Sequence, residues 1–235
     1  MSDTWDWVRH SPVFLVLITL VGYQLGRELR DRTGGHALAQ PVLVAIVVVG
    51  ATIELAGIDY ADYRAGTELV AFWLGPATVA LAVPLHRQVH RLRGFLVPLL
   101  VGVPLGAVVS VGSGILLVRL LGGSEQLART MAPKAATTPV SIALSDGIDG
   151  LPPLTAVLTI VAGILGAVAG PAVLTALRVR DRRARGLALG AVSHGIGTSR
   201  ALVEHPEEGA FSGLSMGLTA LATSILLPVL VAVLL

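Results

Sequence analysis

Six long apolar runs decide what this chain can become. They lie near residues 12–26, 38–57, 68–86, 94–121, 153–178 and 210–235, and each approaches the roughly 20 residues that a helix needs to cross about 30 Å of hydrocarbon. With 54% hydrophobic and only 14% charged residues over 235 positions, the chain has too little charge for a soluble surface, where about a quarter charged is usual. The predicted fold class is an all-α polytopic membrane protein with about six full transmembrane helices. Two further segments, 124–150 and 186–203, are too interrupted to be ordinary spans and are expected as broken or re-entrant helices.

Charge placement excludes several classes of function. The net charge of +2 and the pI near 9.5 come from arginines in short clusters between apolar runs, as topology signals do, so no nucleic-acid partner is expected. Cysteine is absent, which removes disulfides, thiolate metal sites and cysteine nucleophiles. No metal and no cofactor are implied. The chain shows no P-loop, HExxH or nucleophile elbow, and "HGIGTSR" lacks the strand-turn-helix setting of a phosphate loop. The chain therefore does not read as an enzyme. The one enzymatic alternative, Ser193 or Ser141 beside His194, has no triad spacing behind it. The first run is followed by "GRELRDR" instead of a small-residue cleavage site, so it reads as a retained helix and not as a signal peptide.

The positive-inside rule orients the runs. Arg27, Arg30 and Arg32, then Arg87, Arg91 and Arg93, then Arg178 to Arg185 fall on the cytoplasmic side, with Asp59 and Asp62 outside. Residues 124–150 then begin and end on one side, as two half-helices broken around Pro133 to Pro139. Non-helical backbone at that depth is tolerated only where it is buried in protein or lines a wet cavity.

The candidate site gathers from three such interruptions. "LGPATVALAVPL", Leu74 to Leu85, puts Pro76 inside a span with Thr78 after it. "MAPKAATTPVSIALSDGIDG", Met131 to Gly150, contains Lys134, the only lysine of the chain beside sixteen arginines, followed by Ala135, Ala136, Thr137 and Thr138. An ionisable group at membrane depth is costly and reads as functional, and paired interrupted segments point to a transporter site where half-helix N-termini face an anion. Against that, Lys134 can snorkel to the interface or pair with Asp146 or Asp149, and the threonines can bond back to helix carbonyls. "AVSHGIGTSRALVEH", Ala191 to His205, adds Ser193, His194, Gly195, Thr198 and Arg200. Arg200 suits a carboxylate, or equally Glu204 one turn on. His194, Glu54 and Asp146 are the candidate proton carriers. Gly209, Gly213 and Gly217, with Gly102/Gly106 and Gly166/Gly170, recur every four residues and read as helix contacts, including contacts between subunits.

These same stretches, with "TIVAGILGAVAGP", "ALGAVSHGIGTSRA" and "GAFSGLSMGLTALATSILLPVL", resemble the LrgB/CidB family of bacterial inner-membrane proteins. The resemblance covers nearly everything from about residue 35 onward. It implies a single membrane domain over 1–235, with an N-terminal helix and loop at 1–34 and the family core at 35–235. It also implies a multi-pass protein of the bacterial plasma membrane, since no fused LrgA-like domain or transit peptide is present. Two functions come with it. Bacterial members are described as antiholin-like or holin-like modulators of murein hydrolase activity and autolysis, acting with a small LrgA/CidA-type membrane partner. Chloroplast relatives resemble a glycolate/glycerate translocator, and some bacterial relatives are linked to pyruvate uptake. The residues favour a carrier of small monocarboxylates, proton- or ion-coupled and working as a homo-oligomer, a dimer above all, in the lipid bilayer.

Overall fold

The computed structural model describes residues 2–34, 39, 41–73, 76 and 94–235. All regular structure among these residues is helical. The chain divides into two compact units, Met1–Ala77 and Thr78–Leu235.

In the first unit the helices are α1 (Ser2–Arg9), α2 (Pro12–Arg32), α3 (Pro41–Leu55), α4 (Tyr60–Gly66) and α5 (Glu68–Phe72). Pro12 opens α2, where its fixed φ suits a first turn and its missing N–H costs nothing. α4 is started by Asp59, whose carboxylate accepts the Ala61 N–H at 2.7 Å, and it is tied to α2 by Thr19 and Tyr63, hydroxyl to hydroxyl at 2.8 Å. Only α2 among the described residues of this unit is long and apolar enough to cross a membrane; α3 is apolar but has 15 residues. The run expected at 68–86 lies beyond Trp73 outside the described residues, Pro76 excepted.

The second unit holds α6 (Leu96–Leu120), α7 (Glu125–Met131), α8 (Thr138–Asp146), α9 (Pro152–Ala176), α10 (Arg182–Glu204) and α11 (Pro206–Leu234). Among the described residues of this unit, α6, α9 and α11 have the length and hydropathy of spans. With α2 the described spans number four.

Between the spans lie two hairpins. The first is α7 and α8, about 10 and 14 Å long at 1.5 Å per residue, neither of which can cross about 30 Å. Ser124 caps α7 through the Leu127 N–H. The break falls at 132–137, as the prolines require, and Ser141 Oγ closes it, lying 2.8 Å from the Pro133 carbonyl and 3.0 Å from that of Ala136.

The second hairpin is α10 itself. A straight 23-residue helix would hold its ends about 33 Å apart, yet Arg182 Nη1 at its start lies 3.0 Å from the carboxylate of Glu208, four residues past its end. His194 makes the fold-back, with φ 41° and ψ −130° inside an otherwise helical stretch. Residue 197 returns so close to residue 189 that a side-chain carbon on Gly197 would sit 2.7 Å from the Leu189 carbonyl oxygen. Residues 182–193 thus run in, 195–204 run out, and α11 runs in again beside the first arm, Gly186 against Glu208 and Gly190 against Ser212.

Each hairpin returns the chain to the side it left. α6, α9 and α11 therefore cross in alternation, and the two hairpins enter from opposite faces. The end of α6 accordingly meets the end of α11, Arg119 Nη1 donating to the Leu234 carbonyl at 2.7 Å. A core of Val111, Ile115, Ala128, Ala132, Leu227 and Val231 packs α6, α7 and α11 together.

Candidate functional site

The first hairpin carries its break to mid-span. Lys134 Nζ donates to the Ser110 carbonyl at 2.5 Å and lies 3.4 Å from Ser110 Oγ, about 15 Å along α6 from its end. Gly114 makes room: a Cβ there would lie 2.7 Å from Nζ. Lys134 pairs with neither Asp146 nor Asp149. Asp146 is exposed on the last turn of α8, and Asp149 lies near Arg129 at 3.9 Å. Among the described residues Lys134 thus has two oxygen partners, a carbonyl and a hydroxyl, and no carboxylate. One of its three N–H groups remains for another acceptor. Ala135, Ala136 and Thr137 are buried beside it, and Thr138 is half-buried. The N–H groups of Thr138 and Val140, in the first turn of α8, have no backbone acceptor among the described residues, as is normal for a helix start.

The second hairpin brings its turn to the middle of α9. His194 is buried, and its Nε2 lies 3.0 Å from the Thr159 carbonyl. Thr198 Oγ1 bonds the His194 carbonyl at 2.8 Å and Ser212 Oγ at 3.0 Å, which ties the returning arm to α11. Gly195 is exposed at the turn. Ser193 is fully buried against Gly166 without a hydrogen-bond partner among the described residues.

The hydroxyls of Thr159, Thr219 and Thr223 are in the same condition as that of Ser193. A buried hydroxyl left unpaired costs about 1–3 kcal/mol and calls for an explanation. None of these three threonines stands out from the sequence alone. The signal was present nonetheless, as two pairs of hydroxyls one turn apart inside apolar runs, Thr155/Thr159 and Thr219/Thr223. Thr155 serves another purpose. It donates to the Thr130 carbonyl at 2.9 Å and lies 2.7 Å from Ser145 Oγ, which fastens the first hairpin to α9.

Arg200, expected to suit a carboxylate, is held by Glu204 at 2.5 Å, one helical turn away. Glu54 is exposed on the last turn of α3 in the first unit, and Pro76 is exposed. Thr78 lies outside the described residues. Of the glycine pairs, Gly166 and Gly170 pack against Ser193 and Leu189 of the second hairpin's first arm, and Gly209 and Gly213 pack against its second arm, while Gly102 and Gly106 meet nothing within 4 Å among the described residues.

Among known proteins, the model of the LrgB-like family matches residues 19–233, so the likeness begins within α2, earlier than residue 35. An uncharacterized protein of Bacillus subtilis, YxaC, is 34% identical over 93% of this chain and 95% of its own length. The antiholin-like protein LrgB of Bacillus subtilis is 30% identical over 94% of this chain and 96% of its own length. A protein of that same name from Bacillus mycoides is 27% identical over 93% and 95%. No solved structure matches.

Proposed function

We propose, from the premise that this chain belongs to the LrgB-like family, that it is an antiholin-like protein of the bacterial plasma membrane. The observation that carries this reading is end-to-end similarity to relatives bearing that name. In its fuller form the protein restrains murein hydrolase activity and autolysis as a homo-oligomer, together with a small LrgA/CidA-type membrane partner. The test is expression of the chain in a bacterial host deleted for its own LrgB-like protein. Detergent-triggered lysis should slow relative to an empty vector, and an unchanged lysis rate would overturn the reading.

A second reading is favoured by a specific observation: two half-crossing hairpins enter from opposite faces, and at mid-span they hold a lysine and several hydroxyls that have no counter-ion and no partner, respectively, among the described residues. Such an arrangement suits a carrier of small monocarboxylates of the glycolate, glycerate, lactate or pyruvate type. In this reading the free N–H of Lys134 and the amides at the start of α8 take the carboxylate. Thr138 bonds the hydroxyl or keto oxygen, and His194 carries a coupling proton. Access alternates as one bundle moves against the other. Proteoliposomes separate the two readings. A carrier takes up labelled glycolate, lactate or pyruvate under an ion gradient while excluding large dyes, and absence of uptake under any gradient removes this reading.

A further inference from the structure

The mouth of the second hairpin, away from its tip, carries a feature that neither reading uses. A cavity of about 490 Å³ opens there, its wall formed by Arg178, Arg180, Arg182, Arg185, Thr175 and Glu204 among others. Its charges do not balance. Arg182 and Arg185 share the fully buried Glu208, at 3.0 and 3.3 Å, and Glu204 is already held by Arg200. Arg178 and Arg180 have no ion-pair or hydrogen-bond partner for their guanidinium groups among the described residues.

The backbone adds an independent observation. Arg178 has φ 59° at the end of α9, where the Val179 N–H reaches back to the Leu174 carbonyl at 2.9 Å. That left-handed closing position is where glycine normally sits, because any side chain there is strained. The chain keeps an arginine at this place, and that arginine lines the cavity. The cavity lies at the end of a spanning helix, beside exposed Leu177, Leu202 and Val203.

We propose that this cavity binds a phosphate group. Planar guanidinium forks match phosphate oxygens two at a time, and basic pockets at helix ends meet the level of lipid headgroups. The phosphate can belong to an anionic phospholipid or be free in solution. The chemistry of the wall is the same for both.

The experiment uses the full-length protein in phosphatidylcholine nanodiscs, titrated in one arm with cardiolipin or phosphatidylglycerol and in the other with inorganic phosphate. Binding is read by native mass spectrometry and thermal shift. Wild type should bind in at least one arm, and the arm identifies the source. Arg178→Gln with Arg180→Gln should weaken that binding roughly tenfold or more, the scale of losing charge-assisted hydrogen bonds. Arg27→Gln with Arg30→Gln removes the same charge from α2 and should leave it unchanged. Arg178→Gly guards against misfolding, because it deletes the guanidinium while giving the backbone the residue it prefers. It should weaken binding with thermal stability equal or higher. No binding in either arm, or equal weakening by the α2 pair, overturns the proposal.

Discussion

Lys134 Nζ sits 2.5 Å from the Ser110 carbonyl, at the middle of a spanning helix, with no carboxylate beside it among the described residues. Most buried cations are compensated by an acid, and removing one partner of such a pair leaves a stranded charge. Here there is nothing to strand. Lys134→Met, which keeps the apolar stem and drops the ammonium, should therefore leave expression and thermal unfolding nearly unchanged. It should abolish carboxylate uptake. Lys134→Arg should also fail, since a planar fork cannot replace a compact ammonium that lies directly over Gly114. Full activity in the methionine variant would remove this residue from the site.

Glu208 presents the opposite case. It is fully buried, with Arg185 almost as buried at 3.3 Å and Arg182 half-exposed at 3.0 Å. Glu208→Gln should cost about 3–5 kcal/mol, because the Arg185 charge is left in place without its partner. Arg182→Gln should cost no more than about 1 kcal/mol, water screening that pair. Replacing Arg185 by Met and Glu208 by Leu together should cost less than Glu208→Gln alone. A double-mutant cycle on thermal unfolding in detergent decides this.

Asp181 caps the first arm of the second hairpin, accepting the Arg183 and Ala184 N–H groups at 2.8 and 3.3 Å. The Arg183 side chain, bonded at 3.0 Å, holds this exposed carboxyl below the usual carboxylate range, with the two backbone N–H bonds adding to it. A pKa depressed by folding contributes stability above the unfolded value, near 4, that is lost as pH falls through the folded value. Protection of the Arg183 and Ala184 amides, taken as the exchange rate relative to an unstructured peptide at the same pH, should accordingly be high at neutral pH and fall on acidification below about pH 4. Asp181→Ala should show the low protection at every pH.

Glycines that share a spacing in the sequence have separate fates in the fold. A side chain at Gly190 would collide with the backbone oxygen of Ser212, whereas Gly102 and Gly106 meet nothing within 4 Å among the described residues. Gly190→Leu should prevent recovery of folded protein, and Gly106→Leu should not. Yields of monodisperse protein after detergent extraction measure both.

Length and hydropathy make the spans legible in the sequence, because crossing hydrocarbon is a one-dimensional demand. The first hairpin is legible too, since Pro133 and Pro139 break the helix and the neighbouring arginines force both ends to one side. The second hairpin is not. Its fold-back turns on His194 at φ 41°, where a residue other than glycine is uncommon, and the glycines near it read equally well as a kink or as helix contacts. Thr159, Thr219 and Thr223 are hidden for another reason. A threonine in a span commonly bonds its own helix, and only coordinates reveal that these three do not.

The opposed hairpins make the sharpest prediction of topology, and a chain without cysteine is ready for it. Arg183→Cys and Glu204→Cys stand near the two ends of α10. If α10 folds back at His194, both should react with a membrane-impermeant maleimide from one side of the bilayer only. If α10 crosses, they should react from opposite sides. Asp149→Cys, exposed where the first hairpin ends, should label from the face that Arg183→Cys does not, because α9 crosses between them. Labelling inverted vesicles and intact cells in parallel separates the faces. Same-face labelling of Asp149→Cys and Arg183→Cys would undo the opposed arrangement, and with it the structural support for the carrier reading.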